Sequence, residues 1–159
     1  AGPASITITA DDGTVSTGTV EVGTVAPSLF AANASGRDVP AGFALRIKAN
    51  GAQLNEPILR FDAAQNRFVP MPIDVGVIGD QVFLVLFGTG IRFRSVLSGV
   101  SVNIGGTSLP VLYAGPQGDF VGLDQLNILL PSSLAGRGEV DLTLTVDGRT
   151  SNTLRINLK

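Results

Sequence analysis

Two pairs of acidic residues have a spacing that could support hydrolytic chemistry. Asp11 and Asp12 are adjacent, and Asp119 precedes Asp124 across a short loop. Paired carboxylates act as acid and base or nucleophile in glycoside hydrolysis, and together with loop carbonyls they can bind Ca²⁺. The first pair precedes a glycine in a turn sequence, where Asp ordinarily satisfies backbone groups. The second pair flanks a glycine-containing loop without an EF-hand pattern, so we interpret both pairs as turn residues.

A catalytic serine would lack its usual partner in this chain. The sequence contains no His and no Cys, and Lys48 and Lys159 are its only lysines. Histidine is the usual general base and the commonest metal ligand. A Ser-Lys dyad using Lys48 is the remaining way to activate a serine. We therefore expect a protein that is not an enzyme, and we assign no catalytic, cofactor-binding or metal-binding residue.

Two further motifs match functional patterns only in part. Gly88-Thr89-Gly90 follows an apolar run as a dinucleotide-binding loop does, but Phe93 stands where the third glycine belongs and no helical pattern follows. We interpret it as a turn at the edge of a sandwich. Asn33-Ala34-Ser35 fits the N-glycosylation pattern and lies in a loop of small residues. This match is too short to establish a glycan.

The composition limits the classes of partner. The 159 residues are 44% hydrophobic and 15% charged, with a formal net charge of -2. This composition supports a buried core and gives no electrostatic basis for binding nucleic acid. No apolar stretch approaches the roughly 20 residues of a membrane span. The start at Ala1 without a signal sequence is typical of a mature secreted chain, although a segment of a longer protein would begin in the same way.

Alternation of apolar and polar residues, interrupted by turn residues, predicts an all-β fold. Val82 to Phe87 is a continuous apolar run, which predicts a strand buried on both faces. Leu126, Ile128 and Leu130 are expected on one face of a strand. The remaining predicted strands are Ser5 to Ala10, Val15 to Val25, Phe43 to Ala49, Pro57 to Phe61, Phe68 to Ile73, Val100 to Ile104, Leu109 to Ala114, Glu139 to Val146 and Thr150 to Leu158.

The stretch from Val82 to Lys159 carries several linked motifs. They are F-G-T-G from Phe87, L-S-G-V-S-V-N-I-G-G from Leu97, L-P-V-L-Y-A-G-P from Leu109, D-Q-L-N-I-L-L-P from Asp124 and L-T-V-D-G-R-T-S-N from Leu144. These motifs resemble the immunoglobulin-like repeat, in the style of the IPT/TIG class, of large secreted proteins of environmental bacteria. The resemblance implies an immunoglobulin-like β-sandwich and an extracellular or cell-surface location, but no particular chemistry.

The predicted organisation has three parts. Residues 1–25 form a donor-like β-hairpin, residues 26–79 a linker and a small β-meander, and residues 80–159 the immunoglobulin-like sandwich. The first hairpin repeats the last one: I-T-I-T-A-D-D-G from Ile6 aligns with L-T-L-T-V-D-G from Leu142, with small gaps. The chain therefore begins with what looks like the closing hairpin of a sandwich.

A lone hairpin is marginally stable in water, so something must cover its apolar face. One option is the Phe43 to Ile73 region of the same chain, and the other is a neighbouring copy joined by strand addition. A donor at one end and an acceptor edge at the other would give a head-to-tail filament, with an interface above roughly 1,000 Å². The expected subunit interface residues are Ile6, Ile8, Val15, Val20, Val22, Leu29 and Phe30.

The sequence thus favours a self-assembling extracellular filament subunit whose partners are copies of itself. The alternatives are a monomeric cell-surface adhesive or binding module, and an appendage domain of a longer enzyme or transporter. With aromatic residues at 6% and no Trp, an aromatic platform for sugars is disfavoured.

Overall fold

A computed structural model describes residues 1–159, and its regular structure consists of β-strands and two single turns of 3-10 helix. The 3-10 turns are Leu97–Gly99 and Ser132–Leu134. The strands are β1 Gly2–Thr9, β2 Val15–Val22, β3 Ser28–Leu29, β4 Gly42–Ile47, β5 Gln53–Pro57, β6 Leu59–Asp62, β7 Arg67–Pro70, β8 Pro72–Ile73, β9 Gln81–Thr89, β10 Val100–Ile104, β11 Thr107–Pro110, β12 Tyr113–Pro116, β13 Asp124–Leu130, β14 Gly138–Val146, β15 Arg149–Thr150 and β16 Leu154–Leu158. The predicted all-β fold is confirmed. Neither 3-10 turn, nor any other helix, is long and apolar enough to cross a membrane.

Two sheets form a sandwich. Sheet I has the strand order β11-β10-β14-β16-β8, with the short β15 paired to β14. Sheet II has the order β12-β13-β9-β4-β5, with β3 paired to the end of β9. All neighbours are antiparallel except β16 and β8, which are parallel. The hairpins β1–β2 and β6–β7 pair only within themselves.

The core lies between the two sheets and follows from the alternation of side chains along each strand. A single cluster of 27 buried residues fills it, and both sheets contribute. Leu126, Ile128 and Leu130 of β13 face this core, as the sequence predicted. Each buried leucine or isoleucine contributes about 1.5–3 kcal/mol of transfer free energy, so this cluster is the main source of stability.

The segment predicted as linker and meander contributes strands to both sheets. β3, β4 and β5 belong to sheet II, where β4 lies directly beside β9, and β8 extends sheet I. The sandwich therefore runs from about Val25 to Leu158 rather than beginning at residue 80. Only β6 and β7 form a separate hairpin, in which the rings of Phe61 and Phe68 pack edge to face with centroids 5.4 Å apart.

Arg46 connects three segments of the chain at the β4–β5 edge of sheet II, from inside the sandwich. Its guanidinium is buried and donates to Glu56 Oε1 at 2.7 Å and to Glu56 Oε2 at 3.0 Å. It also donates to the carbonyl of Asp74 at 2.7 Å and to Asp80 Oδ2 at 3.4 Å. The hydrogen bond with Glu56 is the main reason that the pKa of Arg46 is raised. One cation therefore joins β4, β5 and the loop that leads into β9.

Replacing Arg46 tests whether its guanidinium holds β4, β5 and the loop before β9 together. We expect Arg46→Met to lower the free energy of unfolding by about 2–3 kcal/mol. Breaking a buried ion pair costs about 3–5 kcal/mol, and the partial exposure of Glu56 reduces that cost. Urea denaturation measures the change, and Lys48→Met, at an exposed position just beyond β4, is the control with an expected change below about 0.5 kcal/mol. Equal destabilisation by both variants would contradict the assignment.

Candidate functional site

The two carboxylate pairs lie in unrelated structural settings. Asp12 caps the turn of the β1–β2 hairpin, where Oδ1 accepts a hydrogen bond from the backbone of Thr14 at 2.9 Å. This bond lowers the pKa of the exposed Asp12 carboxyl. Asp119 is exposed and accepts from the side chain of Gln117 at 2.9 Å. These contacts are those of turn residues.

Asp124 is fully buried and anchors the chain after β9. Its Oδ2 accepts from the backbone of Ile91 at 2.8 Å and of Arg92 at 3.2 Å. Its Oδ1 accepts from Nε of Arg92 at 2.6 Å. All of these donors lie in the turn that leaves sheet II, so Asp124 holds that turn. Nowhere in the structure do three or more His, Cys, Asp or Glu side chains converge as metal ligands.

Gly88-Thr89-Gly90 is explained by a close chain crossing. Gly90 has φ +74°, and a Cβ at this position would collide with the carbonyl oxygen of Ala26. The backbone of Ala26 donates to the carbonyl of Gly90 at 3.0 Å. Glycine is required where the backbone is left-handed and another chain segment approaches this closely. The loop brings the N-terminal segment alongside β9.

A polar cleft of about 310 Å³ separates the β6–β7 hairpin from the sandwich. Its charged lining residues are Asp38, Arg60, Asp62, Arg67, Glu139 and Arg155. Arg60 lies 3.6 Å from Asp62, and Arg155 lies 3.0 Å from Asp141 just outside the cleft. Positive and negative side chains are therefore balanced, and the cleft presents no concentrated charge to a ligand.

The β1–β2 hairpin has one apolar face and one polar face. In its register Ala4 is opposite Val20 and Gly2 is opposite Val22, so these residues share a face with Ile6 and Ile8. The opposite face carries Ser5, Thr7, Thr9, Thr17, Thr19 and Glu21. The apolar side chains are open to solvent: 44% of Ile6, 63% of Ile8, 44% of Val20 and 50% of Val22 are exposed. The hairpin does not pack on the Phe43 to Ile73 region, so nothing within the chain covers its apolar face.

Three of the predicted interface residues lie elsewhere. Val15 is opposite Thr9 and projects from the polar face of the hairpin. Leu29 is 1% exposed in the chain's own core, so the prediction of Leu29 in an intersubunit contact is wrong. Phe30 is exposed, and its backbone donates to Phe87 of β9 at 2.9 Å, which places it beside sheet II.

The role of Asn152 could not be predicted from the sequence, because its partners lie more than 100 residues earlier in the chain. Its side-chain oxygen accepts from the backbone of Leu29 at 2.8 Å, and its Nδ2 donates to the carbonyls of Leu29 at 3.0 Å and Gly36 at 2.8 Å. One amide thus fixes β3 against the loop between β14 and β16. Together with the hydrogen bond that Ser28 Oγ donates to the same oxygen at 3.3 Å, this anchoring holds Leu29 inside the sandwich.

The C-terminal hairpin shows what the N-terminal motif looks like when it is covered. Leu142 and Leu144, which align with Ile6 and Ile8, are fully buried. The same is true of Leu154 and Ile156, which align with Val20 and Val22. The same apolar pattern therefore occurs twice in one chain, once inside a sandwich and once without a cover.

The outer face of sheet II is a second apolar surface, and it is partly exposed: Val85 near its centre is buried and Leu129 is exposed. Its three central strands β13, β9 and β4 direct the following side chains away from the core: Phe43, Leu45, Ile47, Gln81, Phe83, Val85, Phe87, Thr89, Gln125, Asn127 and Leu129. None of these residues is charged. A shallow depression of about 250 Å³ lies among them, lined by Leu45, Ile47, Phe83, Val85, Leu112, Tyr113 and Asn127. We call this surface the sheet II face.

The outer face of sheet I provides the contrast. It carries Ser101, Asn103, Ser108, Glu139, Asp141, Thr143, Thr145, Arg155 and Asn157. Arg155 and Asp141 form an exposed ion pair on it. A polar outer face is the ordinary arrangement for an antiparallel sheet. The run Val82 to Phe87 was predicted to be buried on both faces. On its outer side Val85 is buried as predicted, whereas Phe83 and Phe87 are only partly covered.

Comparisons with protein-family models, curated proteins and solved structures gave no match. The likeness to immunoglobulin-like repeats therefore rests on the motifs quoted from the sequence. The candidate functional sites are the apolar face of the β1–β2 hairpin and the sheet II face.

Substitution of Asp124 tests whether this buried carboxylate stabilises the fold. We expect Asp124→Asn to destabilise the fold by about 3 kcal/mol, because the Arg92 guanidinium loses its buried counter-charge. Thermal unfolding monitored by circular dichroism measures this effect. Asp119→Asn, at an exposed position, should leave the midpoint unchanged. If Asp124→Asn leaves the unfolding midpoint unchanged, the hydrogen bonds of Asp124 do not hold the turn.

Proposed function

We propose that the chain is an extracellular structural subunit, without catalytic activity, that assembles with copies of itself through its N-terminal hairpin. One observation carries the proposal: the apolar face of the β1–β2 hairpin is uncovered, whereas the matching face of the C-terminal hairpin is fully buried. The extracellular location is supported only by the resemblance to secreted immunoglobulin-like repeats.

The energetic case for a cover rests on the four large side chains of the hairpin. Complete burial of an isoleucine or valine contributes about 1.5–3 kcal/mol, and roughly half of each side chain is still exposed. Covering Ile6, Ile8, Val20 and Val22 therefore offers about 3–6 kcal/mol before the entropic cost of association is subtracted. A single contact of this kind is weak, so the length of a filament joined only by such contacts depends on protein concentration.

The position of the hairpin favours an open assembly. The hairpin lies outside the two sheets of the sandwich, and in this proposal the surface that receives it lies elsewhere on the next copy. A contact between two different surfaces is heterologous, and it propagates into a filament unless the rotation closes a ring. Strand addition to an edge of the next sandwich would also pair the free backbone groups of β1 and β2.

A second candidate function is a monomeric cell-surface binding module. The sheet II face favours it, because Phe43, Phe83 and Phe87 form an uncharged surface that is accessible in one copy. Exposed apolar patches mark interaction sites. In this case the protein would remain a monomer at all concentrations and residues 1–22 would be dispensable for binding.

Sedimentation velocity and electron microscopy of the whole chain and of the chain lacking residues 1–22 test the assembly. We expect the whole chain to form concentration-dependent oligomers and the shortened chain to remain monomeric. A matched pair refines the result: Ile6→Asp should weaken association at least tenfold, equivalent to about 1.4 kcal/mol, and Thr7→Asp, on the polar face, should not. A monomeric whole chain, or equal effects of the two substitutions, would refute the proposal.

A further inference from the structure

We propose that the apolar face of the β1–β2 hairpin packs on the sheet II face of a second copy. This inference rests on the proposed function, since it names the surface that receives the hairpin. It also changes the expected mode of contact, from edge pairing to face packing.

Edge pairing alone does not solve the problem that the hairpin poses. Strand addition satisfies backbone N–H and C=O groups along an edge. It does nothing for Ile6, Ile8, Val20 and Val22, which project perpendicular to the plane of the hairpin. Those side chains need an apolar surface facing them, as in a sandwich, where two sheets lie about 10 Å apart.

The dimensions of the two surfaces agree. β1 and β2 have eight residues each and β9 has nine, which correspond to lengths of about 26 and 30 Å at 3.3 Å per residue. The two strands of the hairpin lie about 5 Å apart, and the strands β13, β9 and β4 span about 10 Å between their outer axes at 4.8 Å spacing. The hairpin therefore fits over the central strands of sheet II along their length.

The chemistry of the surfaces also agrees. The hairpin face and the sheet II face both lack charged side chains. Their contact therefore buries no charged group without a partner. Asn127 is the main polar group in the depression, and its Oδ1 already accepts from Gln125 at 2.8 Å. The depression between Leu45, Phe83 and Val85 has room for a branched aliphatic side chain such as that of Ile8. The outer face of sheet I, with its Asp141–Arg155 pair, offers no comparable cover.

The connection to the sandwich favours a second copy over the same chain. Only Gly23 and Thr24 separate Val22 of the hairpin from Val25, which is buried in the core. Three peptide units span at most about 10–11 Å, and this barely equals the spacing between stacked sheets. The linker leads into β3, which belongs to sheet II, so folding the hairpin back onto the outer face of that sheet would need the linker fully extended across the spacing of two packed sheets and then a sharp reversal. A neighbouring copy carries no such constraint.

The size of the contact sets its strength. The hairpin face covers roughly 260 Å² in projection on each partner, or about 500 Å² in all. This is smaller than the interface of more than roughly 1,000 Å² predicted from the sequence, and it lies below the range of stable specific interfaces. The junction is therefore weak and reversible, and assembly depends on protein concentration.

The first test places a charge on each candidate surface. Phe83→Glu and Leu129→Glu both alter the sheet II face, and Leu129 is the more exposed of the two. We expect each to weaken oligomer formation at least tenfold in sedimentation velocity. Thr143→Glu, on the outer face of sheet I, is the matched control and should leave association unchanged. Thermal unfolding of each variant verifies that the sandwich is intact, and Leu129→Glu serves if Phe83→Glu does not fold.

Mixing two defective chains separates this inference from the proposed function. An Ile6→Asp chain retains its sheet II face, and a Leu129→Glu chain retains its hairpin. Mixed together they should form dimers that do not extend, because only one productive junction is available. If Ile6→Asp abolishes assembly while both sheet II variants assemble normally, self-assembly stands and this acceptor is wrong. If the unaltered chain is monomeric, the proposed function itself fails.

Cross-linking identifies the contact directly, because the chain contains no cysteine. An Ile8→Cys chain mixed with a Phe83→Cys chain should give a disulfide-linked dimer under mild oxidation. A Thr7→Cys chain mixed with the same partner should not. A cross-link formed only within one chain that carries both Ile8→Cys and Phe83→Cys would show that the hairpin folds back on its own sandwich, and would overturn the inference.

Discussion

The contact between the inner faces of sheets I and II is the interaction on which the rest of this structure depends. Because side chains alternate along each strand, burial of Leu142, Leu144 and Val146 on one side forces Asp141, Thr143 and Thr145 to the other. The same rule acts on β9, where burial of Leu84 and Leu86 directs Phe83, Val85 and Phe87 outward. The core thus determines which residues form the outer surfaces, but leaves their chemistry free.

The two outer faces use that freedom in opposite ways. Sheet I presents hydroxyl, amide and charged groups, which suit contact with water. Sheet II presents aliphatic and aromatic groups without a charge, although the core would tolerate polar residues at the same positions. A partly exposed apolar sheet face promotes association, and so does the uncovered hairpin. The coexistence of both surfaces in one chain is the physical basis for treating them as partners.

Local turns were predictable from the sequence, but strand order was not. The hairpin at Asp147-Gly148 has positive φ at both residues, 48° and 79°, as the two-residue turn of a tight hairpin requires. The pairing of β4 with β9 and the parallel pairing of β8 with β16 join residues far apart in sequence, with no local signal. Val82 to Phe87 was predicted to be buried on both faces because an apolar run contains no information about which of its two faces is covered. The sheet II face was missed for the same reason.

The candidate site shows the same division between local pattern and tertiary context. Ile6, Ile8, Val20 and Val22 were identified correctly as one face because their alternation and the turn fix the hairpin register. Leu29 was placed at an interface because the apolar pair Leu29-Phe30, after the strand-ending Ala26-Pro27, looks like an anchor. Its internal position depends on tertiary contacts, among them the hydrogen bonds between the Asn152 side chain and β3. A repeated sequence motif carries a further kind of information. The C-terminal occurrence of the motif is buried against a facing sheet, and the N-terminal occurrence is not. The comparison therefore indicates that the N-terminal hairpin lacks an apolar sheet facing it.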